Sequence, residues 1–334
     1  MASEPQEVTA SPLVKLNNGL TIPQLGLGTF LSDKGLVGEA VKQAIKMGYR
    51  HIDCAWVYMN EEEVGSGIDW AINEGICKRE DLFITTKLSG SHYNEIKWAL
   101  NDSLKKLRLD YVDLYLIHLP FEMKNDPTIK SLADLKKEHC IGYNAEKMSK
   151  VWSELEQLVS EGLIRSIGVS NFTIKKLEAI LKTAKLIPVV NQVEIQAYFQ
   201  QNKLRSYCKS KGILIQAFNT LGNPGLFKGK LDVEPLLDNA EVKQVCEKHR
   251  ATPAQVCIAF GLAIGDILIP KSVTESRLRE NFKSINLKLD EDDVKRLKSL
   301  DKNLRLYTMK AFCDPAGIPY EEFFDVEFDS SYQI

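Results

Sequence analysis

The chain has 334 residues, of which 44% are hydrophobic and 26% charged, a mixture that excludes a disordered or fibrous protein. A net charge of −2 gives no electrostatic case for nucleic acid or a membrane surface, and no run of about 18 uncharged apolar residues is present to cross a bilayer. Seven cysteines, an odd count without a C-x-x-C, predict scattered thiols with neither a disulfide framework nor a zinc site. The start, Met1-Ala-Ser-Glu-Pro-Gln-Glu-Val8, has no basic or apolar leader segment, so a cytoplasmic location is expected.

In chain order, residues 1–12 read as a flexible N-terminal tail. Val14-Lys-Leu16 and Leu20-Thr-Ile22 then flank Asn18-Gly19, the strongest short hairpin signal. Strand candidates recur at Gln24–Gly28, Arg50–Asp53, Leu82–Lys87, Val112–His118, Ile164–Val169, Val189–Val193, Ile213–Phe218 and Ile267–Pro270. Helical spacing links Ile96, Ala99, Leu100, Ser103, Leu104 and Leu107, and again Met148, Val151, Trp152, Leu155, Leu158 and Val159, with Gly162 as a stop. Thr252-Pro253 reads as a helix start, Thr as N-cap and Pro at the first helical position. Short strands alternating with helices predict a parallel (β/α)₈ barrel spanning 1–334 as one domain, its bottom closed by the N-terminal hairpin. A doubly wound sheet is the alternative, but no Gly-x-Gly-x-x-Gly follows a strand; Gly65-Ser-Gly67 has Trp70 where the third glycine belongs. The connections Phe121–Asn144 and Asn219–Asp238, and the aperiodic tail 305–334, read as loops over the mouth, the tail through Phe312 and Tyr320.

Polar residues collect at the strand ends. Asp53 follows the second strand with Tyr58 just beyond; Lys87 ends the third and His118 the fourth. Ser170-Asn171 follow the fifth, Gln192 the sixth and Lys271-Ser272 the eighth. In such a barrel the catalytic groups come from this rim. Each residue has an ordinary reading alone: a turn carboxylate, a surface lysine, a core histidine, a loop tyrosine. Together at matching strand ends they form a site. A phenol with a pKa near 10 is a poor acid unless a cation stabilises its anion, and Lys87, held by Asp53, supplies one. Tyr58 then becomes a candidate general acid toward a carbonyl oxygen.

The stretches Gly26-Leu-Gly-Thr29, Tyr49-Arg-His-Ile-Asp-Cys-Ala-Trp-Val-Tyr-Met-Asn-Glu61, Ile84-Thr-Thr-Lys87, Leu114-Tyr-Leu-Ile-His118, Ile167-Gly-Val-Ser-Asn-Phe172, Val190-Asn-Gln-Val-Glu194 and Ile269-Pro-Lys-Ser-Val-Thr274 resemble the aldo-keto reductases, in register over nearly the whole chain. The resemblance implies a barrel that reduces small-molecule carbonyl compounds with NADPH, NADH being the less favoured cofactor, and that works as a monomer. It implies Tyr58 as proton donor, Lys87 and Asp53 tuning it, and His118 orienting the carbonyl. It also implies a cofactor site of Gly28, Thr29, Asp53, Ser170, Asn171, Gln192, Phe218, Leu221 and Val273, with Lys271, Ser272, Thr274 and Arg277 about the adenosine 2′-phosphate and Glu280 and Asn281 on the adenine. No metal is implied.

Departures from the family bear on the substrate. Aldose-reductase-like members often carry Trp at the positions of Phe30, Ser89 and Leu119, so a wider, less aromatic pocket is expected, with Trp56 and Val57 at its mouth. Ile195-Gln-Ala197 and Asn219-Thr220 also depart from the family pattern, and Tyr207-x-x-x-Lys211 reads as a solvated helical face. Two rival functions remain: a Schiff-base aldolase using Lys87, and a non-catalytic NADP-binding barrel.

Overall fold

The computed structural model describes residues 10–126, 136–223, 233–309, 313–314 and 316–325. The chain opens with β1 (Leu13–Lys15) and β2 (Thr21–Pro23), followed by β3 (Leu27–Gly28), β4 (His51–Asp53), β5 (Phe83–Leu88) and β6 (Leu114–Ile117). A small antiparallel pair, β7 (Glu122–Met123) and β8 (Cys140–Gly142), precedes β9 (Ile167–Ser170), β10 (Val190–Glu194), β11 (Leu214–Phe218) and β12 (Ile267–Leu268).

Strands β3 to β6 and β9 to β12 form one parallel sheet in chain order. The sheet closes on itself. Leu25 bridges Leu268 and Gly28 bridges Lys271, while Gly26 donates its N–H to the Leu268 carbonyl at 2.7 Å. The architecture is therefore the expected (β/α)₈ barrel. Strands covered on both faces favour apolar runs, as in Leu114–Ile117, while Thr85, Thr86, Lys87, Asn191 and Gln192 bring polar groups into the buried sheet.

Helices return the chain outside the barrel. Helix Ile96–Leu107 buries the periodic residues from Ile96 to Leu107, and Ala145–Ser160 buries Met148, Val151, Trp152, Leu155 and Leu158. Thr252 caps helix Pro253–Ala263, accepting from the Gln255 amide at 3.3 Å while Gln255 accepts in return. Gly65 and Gly67 lie inside helix Glu61–Asn73. A Cβ on Gly65 would stand 2.3 Å from the Lys106 carbonyl, and one on Gly67 2.7 Å from the Gly38 carbonyl. These glycines serve helix packing, and the doubly wound alternative is excluded.

The hairpin plugs the barrel floor. Leu16 and Ile22 pack on Phe83, Leu114, Leu116, Val189, Val190 and Ile267. Gly19 takes φ +90° at its tip, where Asn18 accepts from the Leu20 amide at 3.2 Å. Just before it, Ser11 accepts from the Leu25 amide at 2.8 Å and the Pro12 carbonyl from Gln24, so residues 11 and 12 of the expected tail are tied to the barrel.

The connection after β6 holds β7, β8 and a turn at Lys137–His139, elements too short for periodicity to reveal. In the tail, Cys313, Ala316, Ile318, Phe323 and Phe324 pack on Phe121, with Leu119 at the edge. Phe312 and the Tyr320 side chain lie outside the described residues. Lys211 is exposed as expected, but Tyr207 is half-buried against the main core, so the stretch is a solvated face only in part. All seven cysteines are unpaired, and among the described residues no helix is long and apolar enough to cross a membrane.

Candidate active site

Strand ends deliver the polar residues to one rim. Asp53 pairs in register with Thr85, two residues before Lys87, and the one-turn helix Trp56–Tyr58 follows directly. Lys87 donates to Asp53 Oδ1 at 2.5 Å, to the Cys54 carbonyl at 2.7 Å and to the Tyr58 hydroxyl at 3.2 Å. Those three donations use every proton of the ammonium. Asp53 Oδ2 accepts from Gln192 at 2.7 Å. The His118 ring meets the Tyr58 ring edge-on, with centroids 5.6 Å apart. Tyr58, Lys87, Asp53 and His118 are thus brought together.

Their electrostatics depart from the simple expectation in one respect. Burial pushes the Tyr58 phenol up to about 12, and the Lys87 charge, though it pulls the other way, is the smaller influence. Burial opposes the charge on Lys87, but Asp53 and Tyr58 together hold its pKa above the ordinary value. His118 is driven well below the usual imidazole range by burial and by Lys87, which leaves it neutral at pH 7.

Around this cluster, Ser170 donates to the Gln192 carbonyl at 2.9 Å, and Asn171, at φ +62°, donates to the His118 carbonyl at 3.0 Å. Thr29 donates to the Asp53 carbonyl at 2.9 Å. Gly28 has a packing reason of its own, since a Cβ there would stand 2.6 Å from the Ile269 carbonyl, where the barrel closes. Phe218 ends β11, half-buried, with Leu221 three residues on.

Lys271, Thr274 and Arg277 are exposed at the start of helix Glu275–Lys283, with Ser272 and Asn281 buried and Val273 half-buried. Thr274 makes no side-chain cap; Ser272 instead accepts from the Thr274 amide at 3.1 Å. Lys271 and Arg277 flank a helix start with uncapped first-turn amides, residue types suited to a phosphate. Burial lowers the Lys271 pKa, against the pull of Asp33. A groove of about 670 Å³ along this helix is lined by Thr274, Glu275, Ser276, Arg279, Glu280 and Lys283, with Gln255 opposite, and neither Lys271 nor Arg277 lines it. Glu280 accepts from Thr252 at 2.5 Å, so that carboxylate is already engaged.

At the mouth, Phe30 lies 4.9 Å from the Tyr58 ring and Val57 is exposed. Trp56 is fixed by donating to Asp102 at 2.8 Å. Ser89 is buried and hydrogen-bonded to Ser91 at 2.8 Å, and the Leu119 carbonyl accepts from Tyr93.

Sequence reasoning missed Tyr307, whose ring lies 5.7 Å from Phe218 and 6.5 Å from Phe30. It sits in the aperiodic tail, where no pattern points to it. Glu194, fully buried, accepts from Asn219 at 2.8 Å and from the Leu306 and Tyr307 amides at 3.1 and 2.9 Å. It joins the segment after β11 to the tail. Gln216 was legible as a polar residue inside an apolar strand.

A closed (β/α)₈ barrel carrying a tyrosine–lysine–aspartate–histidine cluster at its rim belongs to the class of barrel oxidoreductases. The sequence pattern of the Aldo/keto reductase family matches residues 24–302, and the chain belongs to that family. It is 38% identical to aldo-keto reductase family 4 member C11 of Arabidopsis thaliana, over 94% of this chain and 97% of that one. It is 40% identical to aldose reductase B of Dictyostelium discoideum, over 90% and 96%. The solved aldose reductase of Schistosoma japonicum superposes with a TM-score of 0.83 at 36% identity, covering 95% of this chain and 100% of that one.

Proposed function

We propose that this protein reduces aldehydes or ketones to alcohols with NADPH, the proton coming from Tyr58. The observation that carries the reading is Lys87, whose ammonium touches both the Tyr58 hydroxyl and the Asp53 carboxylate. The hydride for the carbonyl carbon would come from NADPH when it is bound. Negative charge then grows on the carbonyl oxygen and has to be met by donors already in place. Tyr58 holds its proton firmly at neutral pH, which keeps it in the acid form. It yields that proton because an alkoxide is a far stronger base than a phenolate, and Lys87 stabilises the phenolate left behind. Neutral His118 offers a ring N–H to orient the same oxygen.

Ser170, Asn171 and Gln192 would hold the nicotinamide carboxamide, and Phe218 would stack on its ring. Thr29 and Leu221 would flank the chain of the cofactor. Lys271, Ser272, Thr274 and Arg277 would take the adenosine 2′-phosphate, with Glu280 and Asn281 on the adenine and Val273 within the cofactor site. Two cations at an open helix start favour NADPH over NADH. The substrate pocket would be Phe30, Trp56, Val57, Ser89 and Leu119. A monomer in the cytoplasm, folded as one domain, completes the reading.

The aldolase alternative is disfavoured because a Schiff-base lysine needs a free lone pair, and Lys87 has every N–H donated with its pKa raised. The test is Tyr58→Phe, assayed by NADPH absorbance on a panel of aldehydes and ketones. A loss of roughly 10²-fold or more with cofactor affinity retained is expected. Wild-type turnover in this variant would show that Tyr58 is not the acid.

A further inference from the structure

A single line of hydrogen bonds runs from the barrel floor to the Tyr58 hydroxyl. It begins at the Pro23 carbonyl in the hairpin, which lies 3.1 Å from His51 Nδ1. A carbonyl only accepts, so His51 carries its proton on Nδ1 and leaves Nε2 bare. Gln216 Nε2, 3.2 Å away, therefore donates to His51 Nε2. The Gln216 oxygen is turned the other way and accepts from Gln192 Nε2 at 3.2 Å, while Gln192 also donates to Asp53 Oδ2 at 2.7 Å. Asp53 then meets Lys87, and Lys87 meets Tyr58.

Every link has one permitted direction. Were the proton on His51 Nε2, the Gln216 carboxamide would have to reverse, and two amide N–H₂ groups would face each other. The register Gln192↔Gln216 between β10 and β11 places these side chains on the same inward face. The surroundings are cut to the ring: a Cβ at Gly26 would stand 2.5 Å from His51 Nδ1, and Phe83 meets the ring edge-on at 5.4 Å. Burial holds the His51 pKa down at about 4, so the ring stays neutral. Both His51 and Gln216 are wholly buried.

We infer that His51 and Gln216 are positioning residues for carbonyl reduction, a directional chain that fixes the Gln192 carboxamide and, through it, the Asp53–Lys87–Tyr58 cluster. The inference rests on the reading of Tyr58 as acid and Gln192 as a nicotinamide contact. With both Gln192 N–H groups committed to Asp53 and Gln216, only its oxygen is offered to the cofactor, as an acceptor. The chain thereby sets which way the nicotinamide amide is met. Misplacing a reacting group costs rate, whereas affinity rests mainly on the phosphate end proposed above.

The test compares Gln216→Met, which keeps the length and loses the hydrogen bonds, with the parent enzyme. Single-turnover hydride transfer is expected to fall roughly tenfold while the NADPH dissociation constant moves by less than about threefold. Gly26→Ala, which displaces the ring, should give the same split. Nitrogen NMR of ring-labelled histidine in the unaltered protein should place the His51 proton on Nδ1, a readout independent of any variant. An unchanged rate in folded Gln216→Met, a rate loss matched by an equal loss of affinity, or a proton on Nε2 would overturn the inference. Tyr58→Phe is assayed alongside. If it also keeps the parental rate, the reading of the acid has failed; if it alone is inactive, the chain through Gln216 is the part that is wrong.

Discussion

Asp53 and Lys87 meet at 2.5 Å with neither side chain reaching solvent, so each charge is tolerated only because the other is there. Gln192 on Asp53 and the Cys54 carbonyl on Lys87 complete the pair. Removing one partner strands the other. Asp53→Asn is expected to cost about 3–5 kcal/mol of unfolding free energy in urea, as is Lys87→Met. The double variant should lose less than the two single losses added together. Full additivity would show the pair to be uncoupled.

His51 predicts an acid-side loss of stability. Its folded pKa is depressed from 6.5 to about 4, so its contribution is present above 6.5 and disappears as pH falls toward 4. The size is about 3 kcal/mol, from roughly 1.4 kcal/mol per unit. His92 and His118 are shifted in the same direction. Denaturant midpoints across that window should slope downward, and His51→Phe should flatten the slope. A midpoint independent of pH there would contradict the neutral buried ring.

Gly65→Ala sets two effects against each other. Helix propensity favours alanine by about 1 kcal/mol. The new Cβ, however, would stand 2.3 Å from the Lys106 carbonyl, on a helix that cannot retreat without losing its own packing. Overpacking of this kind costs about 1–3 kcal/mol, so the variant should melt at a lower temperature. A raised Tm would show that the two helices can part at no cost.

Lys176 holds helix Tyr320–Phe324. Fully buried, it donates to the Glu322 carbonyl at 2.9 Å, the Phe323 carbonyl at 3.0 Å and Asp325 at 2.5 Å. It thereby satisfies the end of helix Tyr320–Phe324. Lys176→Met should accelerate amide hydrogen exchange in residues 316–325 and leave the barrel strands unchanged. Uniform exchange rates in both proteins would remove this lysine from the account of the tail.

The barrel was legible because buried parallel strands write themselves as short apolar runs, and the cluster because polar groups interrupt those runs at their ends. The single bridges that close the ring, at Leu25 and Gly28, were not legible, because one-residue contacts leave no pattern. The β7–β8 pair escaped because strands of two and three residues carry no period. For Tyr58 the residue could be picked out and its acidity could not: the balance between burial and the Lys87 charge is a matter of depth, which spacing does not encode. Tyr307 reaches Phe218 and Phe30 only through the path of the tail.

Glu194 carries a consequence for the rim. One carboxylate grips Asn219 on one side and the Leu306 and Tyr307 amides on the other. If either segment swings away, the buried carboxylate loses donors but keeps those of the other, so the two segments are coupled through one side chain. Loosening the rim on one side therefore tightens the demand on the other.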